Sequence, residues 1–407
     1  MSSPTSQTTI VPHSQKPLVT RVYPTESQLD DTIRKASDAQ KSWSRVPLKE
    51  RIAIGTKFMD EFKKLSDEIP LDLTLQMGRP VSQAPGEIRG FLERAKYMLS
   101  IAGSSLADVG LEDTDKPGFR RFIRRTPLGV VLVIAPWNFP YLVSINSVLP
   151  AIIAGNAVLL KPSPQTPLTA ELFANALVKA GVPRDVIQVL HLSPELVTRA
   201  VQHPLVDFVS FTGSVGGGRA VEKAAVEASG FKGVALELGG KDPAYVRADA
   251  DLDYTAAELV DGQYSSFLPN ALSDVRTGAF FNSGQSCCAI ERIYAHESVF
   301  DVLVAKVVAV VEKYKLGDPT KPETTLGPVV SLASAERIRK QVADAVKAGA
   351  KPLIDEKRFQ TAETCDYLDP ALAWTGVKNS GRGISLSKFG YDQLTRAKSV
   401  HMKIKTS

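Results

Sequence analysis

The sequence predicts an α/β fold built on a parallel sheet, and two patterns between residues 129 and 238 support this. Short apolar runs without polar alternation occur there, and stretches with helical spacing separate them. Strands that are apolar along their whole length are typical of a parallel sheet with helices on both faces. The predicted strands are GVVLVIA (129–135), AVLLK (157–161), VIQVLHL (186–192), FVSFT (208–212) and GVALEL (233–238).

The region before these strands predicts amphipathic surface helices. From Ser27 to about Gly103, apolar positions recur at helical spacing among many charged residues, as in RIAIGTKFMDEFKKL. Residues 1–19 contain neither the apolar stretch of a signal peptide nor an Arg-rich amphipathic pattern. We therefore expect them to be a disordered lead.

Composition limits the class of protein. The chain has 407 residues, 43% of them hydrophobic and 23% charged, with a net charge of +5, which is typical of a globular protein of two or three domains. Its three cysteines, Cys287, Cys288 and Cys365, are too few for a disulfide framework and indicate a reducing compartment, so we expect a cytoplasmic location.

Neither a nucleic acid nor a membrane is an expected partner. The densest basic cluster, Arg120–Arg121 and Arg124–Arg125, brackets Phe122 and Ile123 in a pattern that favours an amphipathic strand with a solvated face. Residues 126–160 carry no charge, but prolines, asparagines and a glycine divide them into pieces shorter than the ~20 apolar residues that a spanning helix needs.

Four polar or glycine-rich motifs follow the predicted strands. APWNFP, KPSPQTP, FTGSVGGG and ELGGKDP come after the first, second, fourth and fifth strands, and parallel sheets bind ligands at the carboxyl ends of their strands. A fifth motif, FFNSGQSC, ends at Cys287.

The chemistry of Cys287 is open on residue type alone. A thiolate is nucleophilic without a histidine, yet a cysteine in an apolar context is commonly a packed core residue. A histidine-dependent cysteine hydrolase is disfavoured, because none of the five histidines stands in a recognisable pairing pattern. No metal-ligand pattern lies near Cys287 either.

The five motifs, in this order, resemble the aldehyde dehydrogenase superfamily. The resemblance runs from Thr20 to Gly262, resumes at Ala279–Lys351 and returns at Asp366–Lys405. It implies a Rossmann-like cofactor domain, a second α/β catalytic domain and a small β oligomerisation element. The implied ranges are 20–111 with 128–238 for NAD(P) binding, 239–388 for catalysis, and 112–127 with 389–407 for oligomerisation.

The resemblance also implies roles for individual residues. Cys287 would be the nucleophile, the Asn138 amide would stabilise the oxyanion, and Glu237 would activate water; the alternative for Glu237 is a surface ion pair. The implied cofactor-binding residues are Trp137, Lys161, Ser163, Gly213, Ser214, Gly218 and Leu238. Glycine clusters such as GSVGGG also mark ordinary turns.

The cofactor would be NAD or NADP. NAD-preferring members of the family commonly carry a glutamate where this chain has Pro164, and the absence of that carboxylate relieves repulsion of a 2′-phosphate.

Two departures from the family pattern affect the catalytic domain. QYSSFLPNALSDVRTG (263–278) is an apparent insertion between Glu237 and Cys287. Near 352–365 several dozen family residues are missing, including a Glu-x-Phe-Gly-Pro motif that holds the nicotinamide ribose. We therefore expect an incomplete catalytic domain with exposed apolar faces.

The function that this predicts is the oxidation of an aldehyde to a carboxylic acid with NAD(P)+. The alternative is a catalytically impaired relative that binds nucleotide or associates with intact subunits. KSVHMKIK (398–405) alternates like an edge strand, and the resemblance implies that it joins the hairpin at 112–127 in a homodimer or tetramer; a frayed tail is the alternative.

Overall fold

The computed structural model describes residues 5–111, 118–261, 278–354, 374–375 and 378–403. The helices are α1 (Glu26–Trp43), α2 (Leu48–Lys63), α3 (Ile69–Met77), α4 (Ala84–Ser105), α5 (Pro140–Ala154), α6 (Pro167–Ala180), α7 (Pro194–Gln202), α8 (Val215–Val226), α9 (Leu252–Asp261), α10 (Phe300–Val311), α11 (Leu332–Lys347) and α12 (Phe389–Asp392). The strands are β1 (Ser6–Ile10), β2 (Pro17–Val22), β3 (Val109–Gly110), β4 (Phe119–Pro127), β5 (Val130–Ile134), β6 (Ala157–Lys161), β7 (Ile187–Val189), β8 (Phe208–Thr212), β9 (Gly233–Glu237), β10 (Asp242–Val246), β11 (Ile290–Ala295), β12 (Trp374–Thr375), β13 (Gly381–Arg382), β14 (Ile384–Ser385) and β15 (Thr395–Lys403).

The largest sheet has the strand order β13-β9-β8-β5-β6-β7. All neighbouring pairs from β9 to β7 are parallel, and β13 alone is antiparallel. Every residue of β5 and β6 is buried, which explains why their sequences show no polar alternation. The predicted α/β fold with its parallel sheet is therefore confirmed, and the five predicted runs correspond to β5, β6, β7, β8 and β9.

Two hydrophobic cores cover the two faces of this sheet. Alternate residues of β5 point to opposite faces, so Val131 and Val133 pack with α2 to α6, whereas Leu132 and Ile134 pack with α1, α7 and α8. The amphipathic helices predicted before residue 103 are α1 to α4, and their apolar faces complete these cores.

Helix α5 accounts for much of the long uncharged stretch. All of its residues are buried between α4, α2, α6 and the sheet, so its apolar composition reflects a core position. Across the ranges given above, no helix has both the length and the apolar character required to cross a bilayer.

The N-terminal hairpin corrects one expectation. Residues 1–19 are predicted to be a disordered lead, but β1 and β2 pair in antiparallel fashion. Their attachment is tertiary: the Thr9 hydroxyl donates to the Pro164 carbonyl at 2.8 Å, and the Gln165 side chain donates to the Ile10 carbonyl at 3.0 Å. Because these partners lie more than 150 residues away, the local sequence gives little sign of the hairpin.

The C-terminal strand pairs as its alternation predicts. β15 runs antiparallel to β4 over nine residue pairs, from Thr395 with Pro127 to Lys403 with Phe119, and β3 lies on the other side of β4. This segment is therefore a strand and not a frayed tail. The domain boundaries implied by the resemblance remain predictions.

The region after β9 contains a much smaller sheet. β10 and β11 form a parallel pair. On one face of this pair, Leu259 of α9 and Leu303 of α10 pack in one cluster with Val246 of β10. Tyr245 and Tyr294 on this sheet are 70% and 55% exposed. The expected incompleteness of the catalytic domain remains a prediction. The apparent insertion lies outside the described residues except for Gly278, and so does the apparent deletion from residue 355 onwards.

Asn156 links the largest sheet to the C-terminal part of the chain. Its side-chain oxygen accepts from the amides of Leu128 and Gly129, and its nitrogen donates to the carbonyls of Ala151 and Leu394. The residue is fully buried, so each bond is shielded from water.

We expect Asn156→Ala to lower the free energy of unfolding by about 2–4 kcal/mol, because several buried backbone groups lose their partners. Urea unfolding followed by circular dichroism measures this. Asn175→Ala, on the exposed side of α6, is the matched control and should change stability by less than about 0.5 kcal/mol. Equal stability of the two variants would contradict the linking role given to Asn156.

Candidate active site

A cleft of about 1090 Å³ lies at the carboxyl ends of β5, β6, β8 and β9. Because these strands are parallel, the motifs that follow them meet at one edge of the sheet. Of the sequence-predicted site residues, the cleft lining includes Trp137, Asn138, Lys161, Ser163, Gly213, Ser214, Glu237, Leu238 and Cys287. Gly218 is the exception, and its environment is described below.

Cys287 is held against the end of β9 by two glycines. The Gly240 amide donates to the Cys287 carbonyl at 2.6 Å. Gly239 has φ +88°, and a Cβ there would lie 3.4 Å from the same carbonyl oxygen. The positive φ of Gly239 therefore favours glycine in this turn, and the turn brings the cysteine loop next to Glu237.

Cys287 and Cys288 are both partly exposed, and their sulfur atoms lie 3.9 Å apart. Cys287 lines the cleft, and Cys288 does not. The alternative of a fully packed core cysteine therefore does not describe Cys287.

Glu237 is a buried carboxylic acid at the last position of β9. Its side chain accepts a hydrogen bond from the Ser385 hydroxyl at 3.1 Å, and only 7% of the residue is exposed. Burial raises the pKa of Glu237 to about 8, partly offset by the hydrogen bond from Ser385, which lowers it. The surface ion pair considered from the sequence is therefore wrong for this residue.

Ser385 reaches Glu237 because the C-terminal segment adds to the edge of the central sheet. In the β13–β9 pair Gly381 lies opposite Glu237, and the Leu238 amide donates to the Ser380 carbonyl at 3.1 Å. Sequence reasoning missed Ser385, since its partner lies 148 residues earlier and no motif marks the pairing.

Asn138 lies in the loop after β5, and hydrogen bonds to its backbone hold this loop in place. Its side-chain oxygen accepts from the Phe139 amide at 3.0 Å, so the amide NH₂ is directed away from this bond. The backbone carbonyl of Asn138 accepts from Arg79 and, at 3.4 Å, from the Asn282 side chain. Neither Arg79 nor Asn282 is predicted as a site residue from the sequence, although Asn282 lies within the FFNSGQSC motif.

Lys161, the last residue of β6, places a cation in the cleft lining. The residue is 8% exposed, and burial lowers the pKa of its ammonium group to about 8. The neighbouring Ser163 and Pro164 also line the cleft, and Pro164 is held by the N-terminal hairpin through Thr9.

The start of α8 provides an anion-binding geometry. Ser214 is the N-cap, and its hydroxyl accepts from the Gly217 amide at 3.1 Å. The amides of the first turn and the helix dipole favour a negatively charged group here, such as a pyrophosphate. This donor set fits the diphosphate of a dinucleotide.

Two glycines near α8 serve packing within the protein. A Cβ on Gly213 would lie 2.8 Å from the Phe211 ring, and a Cβ on Gly218 would lie 2.5 Å from a Leu238 methyl group. Gly218 therefore makes room for Leu238, which does line the cleft, and its predicted contact with a cofactor would be indirect.

Helix α11 forms the opposite wall of the cleft. Ser334, Arg337, Ile338 and Gln341 line it from positions three and four residues apart, which places them on one face of the helix. None of these four residues is predicted from the sequence as part of the site.

Comparisons with known proteins agree with this geometry. A sequence profile of the Aldehyde dehydrogenase family matches residues 1–267 and 268–373. The D-glyceraldehyde dehydrogenase (NADP(+)) of Picrophilus torridus is 32% identical over 82% of this chain and 64% of its own length. The succinate-semialdehyde dehydrogenase [NADP(+)] of Mycobacterium leprae is 31% identical over 84% of this chain and 71% of its own.

A solved structure shares the fold. The NAD-dependent aldehyde dehydrogenase from Sinorhizobium meliloti superposes with a TM-score of 0.88 at 24% identity, covering 99% of this chain and 92% of that one. The α/β fold is common to both.

The chain belongs to the aldehyde dehydrogenase family. It spans about two thirds of the length of the curated relatives it matches.

We expect Gly239→Ala to lower the free energy of unfolding by about 1–3 kcal/mol, because a residue with a side chain is strained at φ +88°. Chemical unfolding provides the measurement. Gly103→Ala is the control: nothing lies within 4 Å of its added Cβ, and alanine favours the helix. A Gly239→Ala protein as stable as the unmodified chain would show that the turn is not constrained.

Proposed function

We propose that this protein oxidises an aldehyde to the carboxylic acid with NAD+ or NADP+. The observation that carries the proposal is the arrangement in one cleft of Cys287, Glu237 and Asn138 with Lys161 and the N-terminus of α8. These groups provide a nucleophile, a base, an oxyanion donor and an anion site within reach of a single ligand.

In the proposed reaction, the Cys287 thiolate attacks the aldehyde carbon and a C–S bond forms. The oxyanion that develops is stabilised by the Asn138 amide and the backbone N–H of Cys287. A nicotinamide cofactor, when bound, would supply the acceptor for the hydride that leaves this carbon. Glu237 then takes a proton from water, which attacks the resulting thioester and releases the acid and the thiol.

Several groups of the chain fit a dinucleotide. Ser214 and the amides of α8 would hold the diphosphate, Lys161 and Ser163 would face the adenosine ribose, and Trp137 and Leu238 would provide apolar walls. Pro164 carries no carboxylate that would repel a 2′-phosphate, and two relatives are named for NADP(+), so NADP is the first cofactor to test. The names of these relatives also make D-glyceraldehyde and succinate semialdehyde the first substrates to test.

A second candidate is a catalytically impaired relative that binds nucleotide or associates with intact subunits. It is favoured by the small β10–β11 sheet with its exposed Tyr245 and Tyr294. Nucleotide binding without turnover would support it. A histidine-dependent hydrolase is disfavoured further, because no histidine side chain within the described residues lines the cleft.

The proposal also covers the oligomeric state and the cellular location of the protein. We propose a cytoplasmic homo-oligomer, a dimer or tetramer, in which the outer edge of β15 takes part. A nucleic-acid partner is not proposed, since Arg124 pairs with Asp108, Arg125 pairs with Asp392, and Arg120 stacks on Phe122.

We expect Cys287→Ala to abolish aldehyde-dependent formation of reduced cofactor, because no thiolate remains to attack the carbonyl. Cys288→Ala is the matched control and should retain activity within about threefold, since its sulfur does not line the cleft. Absorbance of the reduced nicotinamide measures both. Equal loss in the two variants would contradict the assignment of the nucleophile.

The rate of product formation should increase with pH through a pKa near 8, because only ionised Glu237 can accept a proton from water. Ser385→Ala removes a hydrogen bond that favours the carboxylate, so the pKa of Glu237 rises and the profile shifts to higher pH. Ser385→Thr keeps the hydroxyl and should leave the profile in place. A profile that does not move in Ser385→Ala would exclude Glu237 as the titrating group.

A further inference from the structure

Arg79 lies fully buried between the two loops that carry Asn138 and Cys287. Its Nε donates to the Asn282 side-chain oxygen at 3.1 Å, and its Nη2 donates to the Asn138 carbonyl. The guanidinium also stacks 4.5 Å from the centre of the Phe139 ring. One rigid planar group therefore contacts both loops.

Glu87 completes the charge balance and fixes the orientation of Arg79. Its Oε2 pairs with Arg79 Nη1, and both side chains have no solvent exposure. Its Oε1 accepts from the amides of Tyr141 and Leu142, at 2.8 and 3.1 Å, in the first turn of α5. The loop of Asn138 is thus held at its carbonyl by Arg79 and at its far end by Glu87.

The segment leading to Cys287 is held in an unfavourable conformation. Asn282 and Ser283 have φ values of +55° and +53°, in the left-handed region that residues with side chains rarely adopt. The Asn282 amide donates to Gln83 at 3.0 Å, and the Ser283 hydroxyl donates to the Gly327 carbonyl at 2.8 Å. Such a conformation persists only where several contacts determine it, and Arg79 supplies the contact to the Asn282 side chain.

We propose that Arg79 is a positioning residue that sets the Asn138 amide at the correct distance from the Cys287 sulfur. Through its bonds to the Asn138 carbonyl and the Asn282 side chain, it couples the oxyanion donor to the nucleophile loop. The inference rests on the proposed function, because it concerns the roles given there to Asn138 and Cys287. The inference adds that the relative placement of Asn138 and Cys287 depends on Arg79, a buried cation remote from the substrate.

The test uses two reactions of Cys287 that need different geometry. With p-nitrophenyl acetate, the thiolate attacks the ester carbonyl, the C–S bond forms, and the C–O bond to p-nitrophenolate breaks through an oxyanion intermediate. With iodoacetamide, the sulfur displaces iodide without forming an oxyanion. The ratio of the two rates therefore reports the placement of the Asn138 donor relative to Cys287, and it requires no cofactor.

Four variants separate positioning from folding. Arg79→Met removes the donors, and the double variant Arg79→Met with Glu87→Gln avoids leaving a buried carboxylate without a partner. Asn282→Gly accepts the left-handed conformation but removes the side chain that Arg79 contacts. Arg79→Lys keeps the charge without the planar fork. Arg247→Met, at an exposed ion pair, is the matched control.

If Arg79 positions the site, the ester reaction falls about 100-fold or more in the Met variants, and alkylation by iodoacetamide stays within about threefold. Asn282→Gly should show the same selective loss. Arg79→Lys should recover part of the ester rate, and Arg247→Met should match the unmodified protein.

Three results would overturn the inference. These are an unchanged ester rate in folded Met variants, an equal fall in both reactions, and an unmodified protein that is alkylated at Cys287 but gives no ester reaction. If the ester reaction responds as expected while no aldehyde oxidation is detected, the positioning role stands and the proposed dehydrogenase function fails.

Discussion

The buried ion pair between Arg79 and Glu87 is the interaction on which the site depends most. It joins the start of α4, the loop after β5, the first turn of α5 and the segment before Cys287, all away from water. Removing one partner of such a pair typically costs about 3–5 kcal/mol, because the remaining charge stays buried. Breaking the pair is therefore costly. Because the pair is buried in the core, it fixes the relative position of the two loops that carry Asn138 and Cys287.

The cleft itself carries a second electrostatic feature. Burial moves the pKa values of Glu237 and Lys161 in opposite directions, each to about 8, so both groups can change protonation close to neutral pH. Groups of this kind concentrate at functional sites, where desolvation is arranged around a reacting ligand. The parallel sheet produces this arrangement, because Lys161 and Glu237 are the last residues of β6 and β9.

The sequence predicts the sheet and the residues gathered at its edge well, because both signals are local. Apolar runs mark the strands, and the motifs at their carboxyl ends carry Asn138, Lys161, Ser214 and Glu237, which line one cleft. Arg79, Glu87 and Ser385 escaped prediction, since their partners lie far away in the sequence; Arg79 and Asn282 are 203 residues apart. The N-terminal hairpin escaped for the same reason, because β1 is attached to the loop after β6.

The antiparallel addition of β13 to β9 has a consequence for the order of folding. The central parallel strands all lie before residue 238, so their sheet can form while the rest of the chain is still being synthesised. Glu237 receives its hydrogen bond from Ser385 only when a segment about 150 residues later arrives, and Asn156 likewise depends on the Leu394 carbonyl. Closing such long loops is slow. A newly made chain would therefore form the central sheet before it forms the hydrogen bonds that complete the site.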